Sequence, residues 1–88
     1  MIHMDGQIIS GEFDDGTNEF VIHKVKDFYT QSIIKKSQFL DLYQYLKKHE
    51  HDQDGQIITL YDQMPIRISQ AEIKRLLSDL EKLKEMYD

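Results

Sequence analysis

A capping box, Ser69-Gln70-Ala71-Glu72, stands directly before an apolar stripe, and no other stretch restricts the fold as tightly. The Ser69 hydroxyl is placed to accept from the Glu72 N–H, and the Glu72 carboxylate to reach back to the Ser69 N–H. Behind the box, Ile73, Leu76, Leu77, Leu80, Leu83 and Tyr87 fall on one side of a helix. Lys74, Arg75, Asp79, Glu81, Lys82 and Glu85 are assigned to the other side. Neither Gly nor Pro interrupts the run, and Leu, Lys, Glu, Arg and Ala favour helix. The spacing predicts about five turns at ~3.6 residues each.

Ile73, Leu76, Leu80, Leu83 and Tyr87 also alternate steps of three and four, a heptad seam about two heptads long. Two readings of the stripe stand. It packs on the chain's own sheet, or Leu76, Leu80, Leu83 and Tyr87 pair in part with a second copy. Leu77 widens the face, so both can hold at once.

A chain of 88 residues predicts one domain spanning residues 1–88. Such a chain buries roughly 60% of its unfolded surface or somewhat more, so an enclosed pocket is hard to build. Hydrophobic content of 40% with 31% charged residues suits a folded chain rather than a disordered one. The absence of Cys excludes disulfides, a thiolate nucleophile and cysteine zinc sites, and fits a cytoplasmic setting. The apolar runs are short, and the N-terminus lacks a basic and apolar leader, so no membrane anchor is expected.

The net charge is −5, from 11 basic and 16 acidic residues. Nucleic-acid binders neutralise phosphates with a basic patch. Lys35-Lys36 and Lys47-Lys48 are the nearest approach to one, and acids surround the second pair. Direct nucleic-acid binding is therefore disfavoured, as is an anionic membrane surface.

In chain order, Met4 is a candidate initiator and residues 1–3 are given no role. Gln7 to Phe13 predicts a strand, with a bulge or close backbone contact at Gly11. Asp14-Asp15-Gly16-Thr17-Asn18 predicts a turn, with Gly16 supplying positive φ. Glu19 to Val25 returns as the second strand of that hairpin. Tyr29 to Lys35 is expected to be extended, against the competing reading of a helix that runs on to residue 50. Ser37 is the expected N-cap of a helix over Gln38 to His49, with Phe39, Leu42, Tyr43 and Leu46 buried. Lys47, Lys48 and His49 then meet the negative end of the helix dipole. A loop over Glu50 to Gly55 leads to a strand over Gln56 to Tyr61. A turn follows over Asp62 to Pro65, then a short strand over Ile66 to Ile68.

Asp5-Gly6-Gln7-Ile8-Ile9 recurs letter for letter as Asp54-Gly55-Gln56-Ile57-Ile58. The simplest reading is two similar turns launching two hairpins, with a duplicated ββα unit as the alternative. The expected fold is α+β, in ββ(β)α-ββα order. It has a small antiparallel sheet of four to five strands with two helices on one face. Ile8, Phe20, Ile22, Ile57, Leu60, Ile66 and Ile68 are the expected sheet contribution to the core.

His49-Glu50-His51-Asp52-Gln53-Asp54-Gly55 is the one metal-like cluster. Counted from Glu50, acids fall at the first, third and fifth positions of a calcium loop and Gly55 at the sixth. The twelfth position is Tyr61 where a bidentate Glu belongs. His49 and His51 have a spacing suited to a strand face, not a helix end. A solvated turn is expected here, with no metal and no cofactor. Ser10, Ser32, Ser37, Ser69 and Ser78 belong to no nucleophile motif, so no catalytic residue is assigned and enzymatic activity is not expected.

The acids gather around the first turn (Glu12, Asp14, Asp15, Glu19), the middle loop (Glu50, Asp52, Asp54) and the end of the last helix (Asp79, Glu81, Glu85, Asp88). On one face they would form a negative patch able to imitate the phosphate track of nucleic acid; dispersed, they simply solvate the domain. Tyr45 points away from its helix's apolar stripe and is a candidate contact anchor. The resulting expectation is a small, acidic, non-enzymatic protein–protein interaction module. It would bind another protein or itself, as an accessory protein of bacteria or their phages by compositional analogy. Its expected interface is Leu76, Leu80, Leu83 and Tyr87, with Tyr45. The alternatives are an acidic inhibitor of a nucleic-acid-binding protein, or a metal site or small enzyme built on His49 to Asp54.

Overall fold

Four antiparallel strands come first: β1 (Ile2–Asp5), β2 (Ile9–Asp14), β3 (Glu19–Val25) and β4 (Phe28–Lys35). They pair in sequence order, so β1 and β4 are the two edges of the sheet. Helix α1 (Lys36–Lys48), strands β5 (Gln56–Ile58) and β6 (Ile66–Ile68) and helix α2 (Gln70–Lys84) follow. The computed structural model describes residues 1–59 and 65–88. The chain is α+β in the expected order, with its strands divided between the four-stranded sheet and a two-stranded ribbon of β5 and β6. The expected extension of β5 through Leu60 and Tyr61, and the turn residues Asp62, Gln63 and Met64, lie outside the described residues.

The core is built by the two periods of strand and helix. Phe13, Phe20 and Ile34 stand opposite one another on the inner face of the sheet. Phe39 and Leu46 of α1 and Ile73, Leu76, Leu80 and Leu83 of α2 pack with them, and Ile58, Ile66 and Ile68 of the ribbon complete the cluster. On the outer face, Glu12, Val21 and Ile33 form the matching row.

The Ser69 capping box is present in both directions: Ser69 Oγ accepts from the Glu72 N–H at 3.2 Å, and Glu72 Oε1 accepts from the Ser69 N–H at 2.9 Å. Lys26, at the β3–β4 turn, reaches over to the same carboxylate at 3.0 Å and donates to the Arg67 carbonyl at 3.1 Å. The Ser69 backbone N–H, aided by Lys26, holds the Glu72 carboxyl below its ordinary pKa.

Several local expectations are corrected. The expected first strand is β2, and an unexpected strand, β1, precedes it; Ile2 and His3, given no role, form half of β1, and Met4 is buried there. Gly11 does mark an irregularity, because a Cβ there would lie 2.0 Å from the Val21 carbonyl oxygen. Positive φ in the following turn belongs to Asn18 (57°), not Gly16. Asp14 Oδ1 shapes that turn instead, accepting from the Gly16 N–H at 2.9 Å. Helix α1 starts one residue before Ser37, and the Gln38 side chain accepts from the Lys35 N–H at 2.9 Å, so Ser37 is not the cap. In α1 Phe39 and Leu46 are fully buried, while Leu42 and Tyr43 are partly so. Ile57 is exposed, because the two-residue period that buries Ile58 turns Ile57 outward. The repeated pentapeptide takes two different shapes. Asp5 ends β1 and Ile9 opens β2, whereas Gly55 turns at φ 73° into β5.

Candidate functional site

The α2 stripe proposed as an interface faces the chain's own sheet. Leu76, Leu80, Leu83 and Tyr87 are 1%, 1%, 0% and 9% exposed, so they have no free surface to offer a second copy. Tyr87 shows why. Its ring stands edge-on to Phe13 at 4.9 Å and tilted against Phe39 at 5.0 Å, and its hydroxyl donates to the Ile34 carbonyl at 2.6 Å. Burial pushes the Tyr87 phenol well above its ordinary pKa. Tyr45 is exposed as expected. Its ring lies 4.7 Å from that of His49, and its hydroxyl donates to the Gln56 side chain.

Asp79, assigned to the solvated side of α2, is fully buried. Its carboxylate accepts from the backbone N–H groups of Gln7, Ile8 and Ile9 at 2.8, 2.7 and 3.0 Å. Gln7 and Ile8 lie in the β1–β2 connection, where the chain reverses, and Ile9 opens β2. A Cβ on Gly6 would lie 2.4 Å from Asp79 Cγ, so the tight approach requires glycine there. The helical wheel held the signal. At ~100° per residue, Asp79 sits about 80° from the centre of the stripe, as far as Leu77 on the other flank. It is a structural anchor, not part of an acidic surface.

The two other acidic groups lie at opposite ends of α1. The β2–β3 turn bearing Asp14, Asp15 and Glu19 is tied to the chain end by Asn18, which accepts from the Asp88 N–H at 3.0 Å. Lys36, the first residue of α1, donates to the Asp88 carbonyl. Glu50, Asp52 and Asp54 follow the other end of that 13-residue helix, about 20 Å away by its rise. Glu12 stands on the outer sheet face, 4.0 Å from His23.

The middle loop uses its polar groups on itself. Asp52 accepts from Gln56 Nε2 at 2.7 Å and meets His49 Nδ1 at 2.7 Å, while Glu50 faces Lys47 at 3.5 Å. His51 points to solvent. Among the described residues no three His, Asp or Glu side chains converge as metal ligands, and no helix is long and apolar enough to cross a membrane.

The surface that stands out is one the periodicity did not single out. β4 is a sheet edge eight residues long, and it carries no charge from Phe28 through Ile34. Tyr29 is 83% exposed, Phe28 53% and Ile33 51%. Lys24 lies 5.7 Å from the Tyr29 ring centroid. Beside the strand's far end runs an open groove of about 350 Å³, lined by Ile34, Leu42, Tyr45, Ile57 and Ile58 with Asp41 at its wall. An edge strand exposes a row of unpaired N–H and C=O groups, and edges left open usually carry charge or proline against unwanted pairing; from Phe28 through Ile34 β4 has neither, although its ladder with β3 shifts register between Ser32 and Tyr29. The missed signal was the uncharged, β-branched and aromatic run Phe28-Tyr29-Thr30-Gln31-Ser32-Ile33-Ile34; that it lies on an edge is a matter of topology. Comparison with protein-family models, with curated proteins and with solved structures gives no match to this chain.

Proposed function

We propose that this protein is a non-enzymatic protein-interaction module whose contact surface is the β4 edge and the groove beside it, not the α2 stripe. The observation that carries the reading is the exposure of Phe28, Tyr29 and Ile33 on a long, uncharged edge strand. Addition of a strand to such an edge supplies main-chain hydrogen bonds, and alternate side chains select the partner. The apolar groove next to Ile34 adds a receptacle for a side chain from that partner.

The test compares capture by the immobilised wild-type chain with capture by Ile33→Lys. Ile33 is half exposed, so the lysine leaves the core intact while placing charge on the edge. A partner retained by the wild type and lost by the variant supports the reading. Equal capture by both, or none by either from a chain that is also monomeric, overturns it.

A further inference from the structure

We infer that the β4 edge pairs with the β4 edge of a second copy, antiparallel about a two-fold axis through Gln31, to give one continuous sheet across the dimer. The inference rests on β4 as the contact surface and goes further by naming the occupant and its register.

The register comes from the strand itself. Burial alternates along β4, with Ser32 and Ile34 facing inward and Tyr29, Gln31, Ile33 and Lys35 outward. Pairing must match outward with outward, since a one-residue slip would turn every inner side chain to the wrong face. A two-fold axis must therefore pass through a residue, not between two. With the axis at Gln31, Tyr29 stands opposite the partner's Ile33, an aromatic and β-branched pair of the kind that stabilises sheets. Asp27, just before the strand, stands opposite the partner's Lys35. Moving the axis to Thr30 or Ser32 loses both matches: Tyr29 then faces Gln31 or Lys35, and Asp27 faces Ile33 or no residue of the strand.

Two further features fit the same register. Phe28 is exposed although it lies on the inner side of the strand, at its open end. It falls opposite the partner's Ile34, which lines the apolar groove, so each copy brings a phenyl ring to the mouth of the other's groove. The Lys35 N–H donates to the Gln38 side chain, outside the ladder with β3. By the alternation of an antiparallel strand, the N–H and C=O groups of Ile33 then also point away from β3; beyond Ser32 the β3–β4 ladder shifts register, Ile22 facing Ser32 and Lys24 facing Tyr29, so Thr30 and Gln31 have no partner residue on β3 and a second copy would meet the strand there. The Asp27 and Lys35 pairs are exposed, so they set register more than affinity.

Sedimentation of the full chain over a range of concentrations, with three sets of variants, tests this. The wild type is expected to dimerise and Ile33→Lys to be a folded monomer. Asp27→Lys and Lys35→Asp should each weaken the dimer by about three- to tenfold, and the double reversal should recover it. The chain has no cysteine, so Gln31→Cys reads the axis directly. Opposed residues lie roughly 5.5 Å apart, within disulfide reach, and oxidation should link two copies. Tyr29→Cys should not link to itself, because the two copies of that position lie about 13 Å apart along the strands. A wild type that stays monomeric, a dimer that survives Ile33→Lys, or a Gln31→Cys chain that does not cross-link overturns the self-pairing. If the wild type is monomeric yet Ile33→Lys loses a captured partner, self-pairing fails alone and the interaction reading stands. If both chains are monomeric and capture alike, both fail.

Discussion

The two edges of the sheet are handled in opposite ways. β1 has four residues, carries His3 and Asp5 in contact at 3.1 Å, and ends in a connection gripped by the buried Asp79 carboxylate. β4 has twice that length, carries no charge over its central run, and presents Tyr29 and Ile33 to solvent. Short length and charge are ordinary protection for an edge. The anchor adds something else: three backbone donors at a chain reversal find a partner some 70 residues away in sequence. One edge is thus short and charged beside an anchored connection, and the other is long and uncharged over its central run. A surface assignment made from apolar pattern alone picks α2, whose stripe is occupied, and passes over β4, whose Phe28, Tyr29 and Ile33 are exposed.

Loss of the anchor should have the largest effect. Asp79→Ala leaves buried N–H groups without an acceptor and is expected to cost about 3–5 kcal/mol, read as a lower urea midpoint. Exchange of the Gln7, Ile8 and Ile9 amides should accelerate with it; if they stay protected, Asp79 is not what anchors the connection beside β1. Gly6→Ala presses a methyl against the same carboxylate and should cost about 1–3 kcal/mol.

Tyr87→Phe tests the β4 side of the sheet. It removes the hydroxyl that serves the Ile34 carbonyl and should cost about 1 kcal/mol. The folded-state pKa of Tyr87 is raised, so its contribution is full below about pH 10 and declines as the pH rises beyond that. Alkaline unfolding should be less steep in Tyr87→Phe. At the acid end the sign reverses. Glu72 has a lowered pKa, so it contributes above the ordinary carboxylate range and its contribution disappears as the pH falls below about 4. Glu72→Gln should show a smaller loss of melting temperature between neutral and acid pH than the wild type.

Ile33→Lys should change stability least, within about 0.5 kcal/mol in a monomer, because the side chain is half exposed. A large drop in the urea midpoint would place Ile33 in the core and sharpen the contrast in the wrong direction.

Much of the fold was legible because it depends on neighbours in sequence. The Ser69–Glu72 box, the α2 stripe, the Asp14 turn and the extent of β3 all follow from interactions within a few residues. The irregularity at Gly11 was legible too, since glycine inside a strand marks a close backbone approach. β1 was missed because four residues with two polar side chains form no pattern until β2 pairs with them. The cap of α1 was misplaced because Gln38 reaches back to Lys35, ahead of the serine that resembles a cap.

The candidate site was not legible in the same way. The uncharged run from Phe28 to Ile34 reads equally well as a central strand, and only the order β1-β2-β3-β4 leaves it on the outside. Asp79 reads as a solvated helix acid, and only the approach of Gly6 and its following amides makes it an anchor. The sequence by itself determined the last helix with its apolar stripe, the extent of β3 and the place of the Asp14 turn, because those follow from local hydrogen bonding and from periods of 2 and about 3.6 residues. Tertiary structure alone decided which apolar face is covered, which strand ends the sheet and which carboxylate is buried, because each depends on a partner far away along the chain.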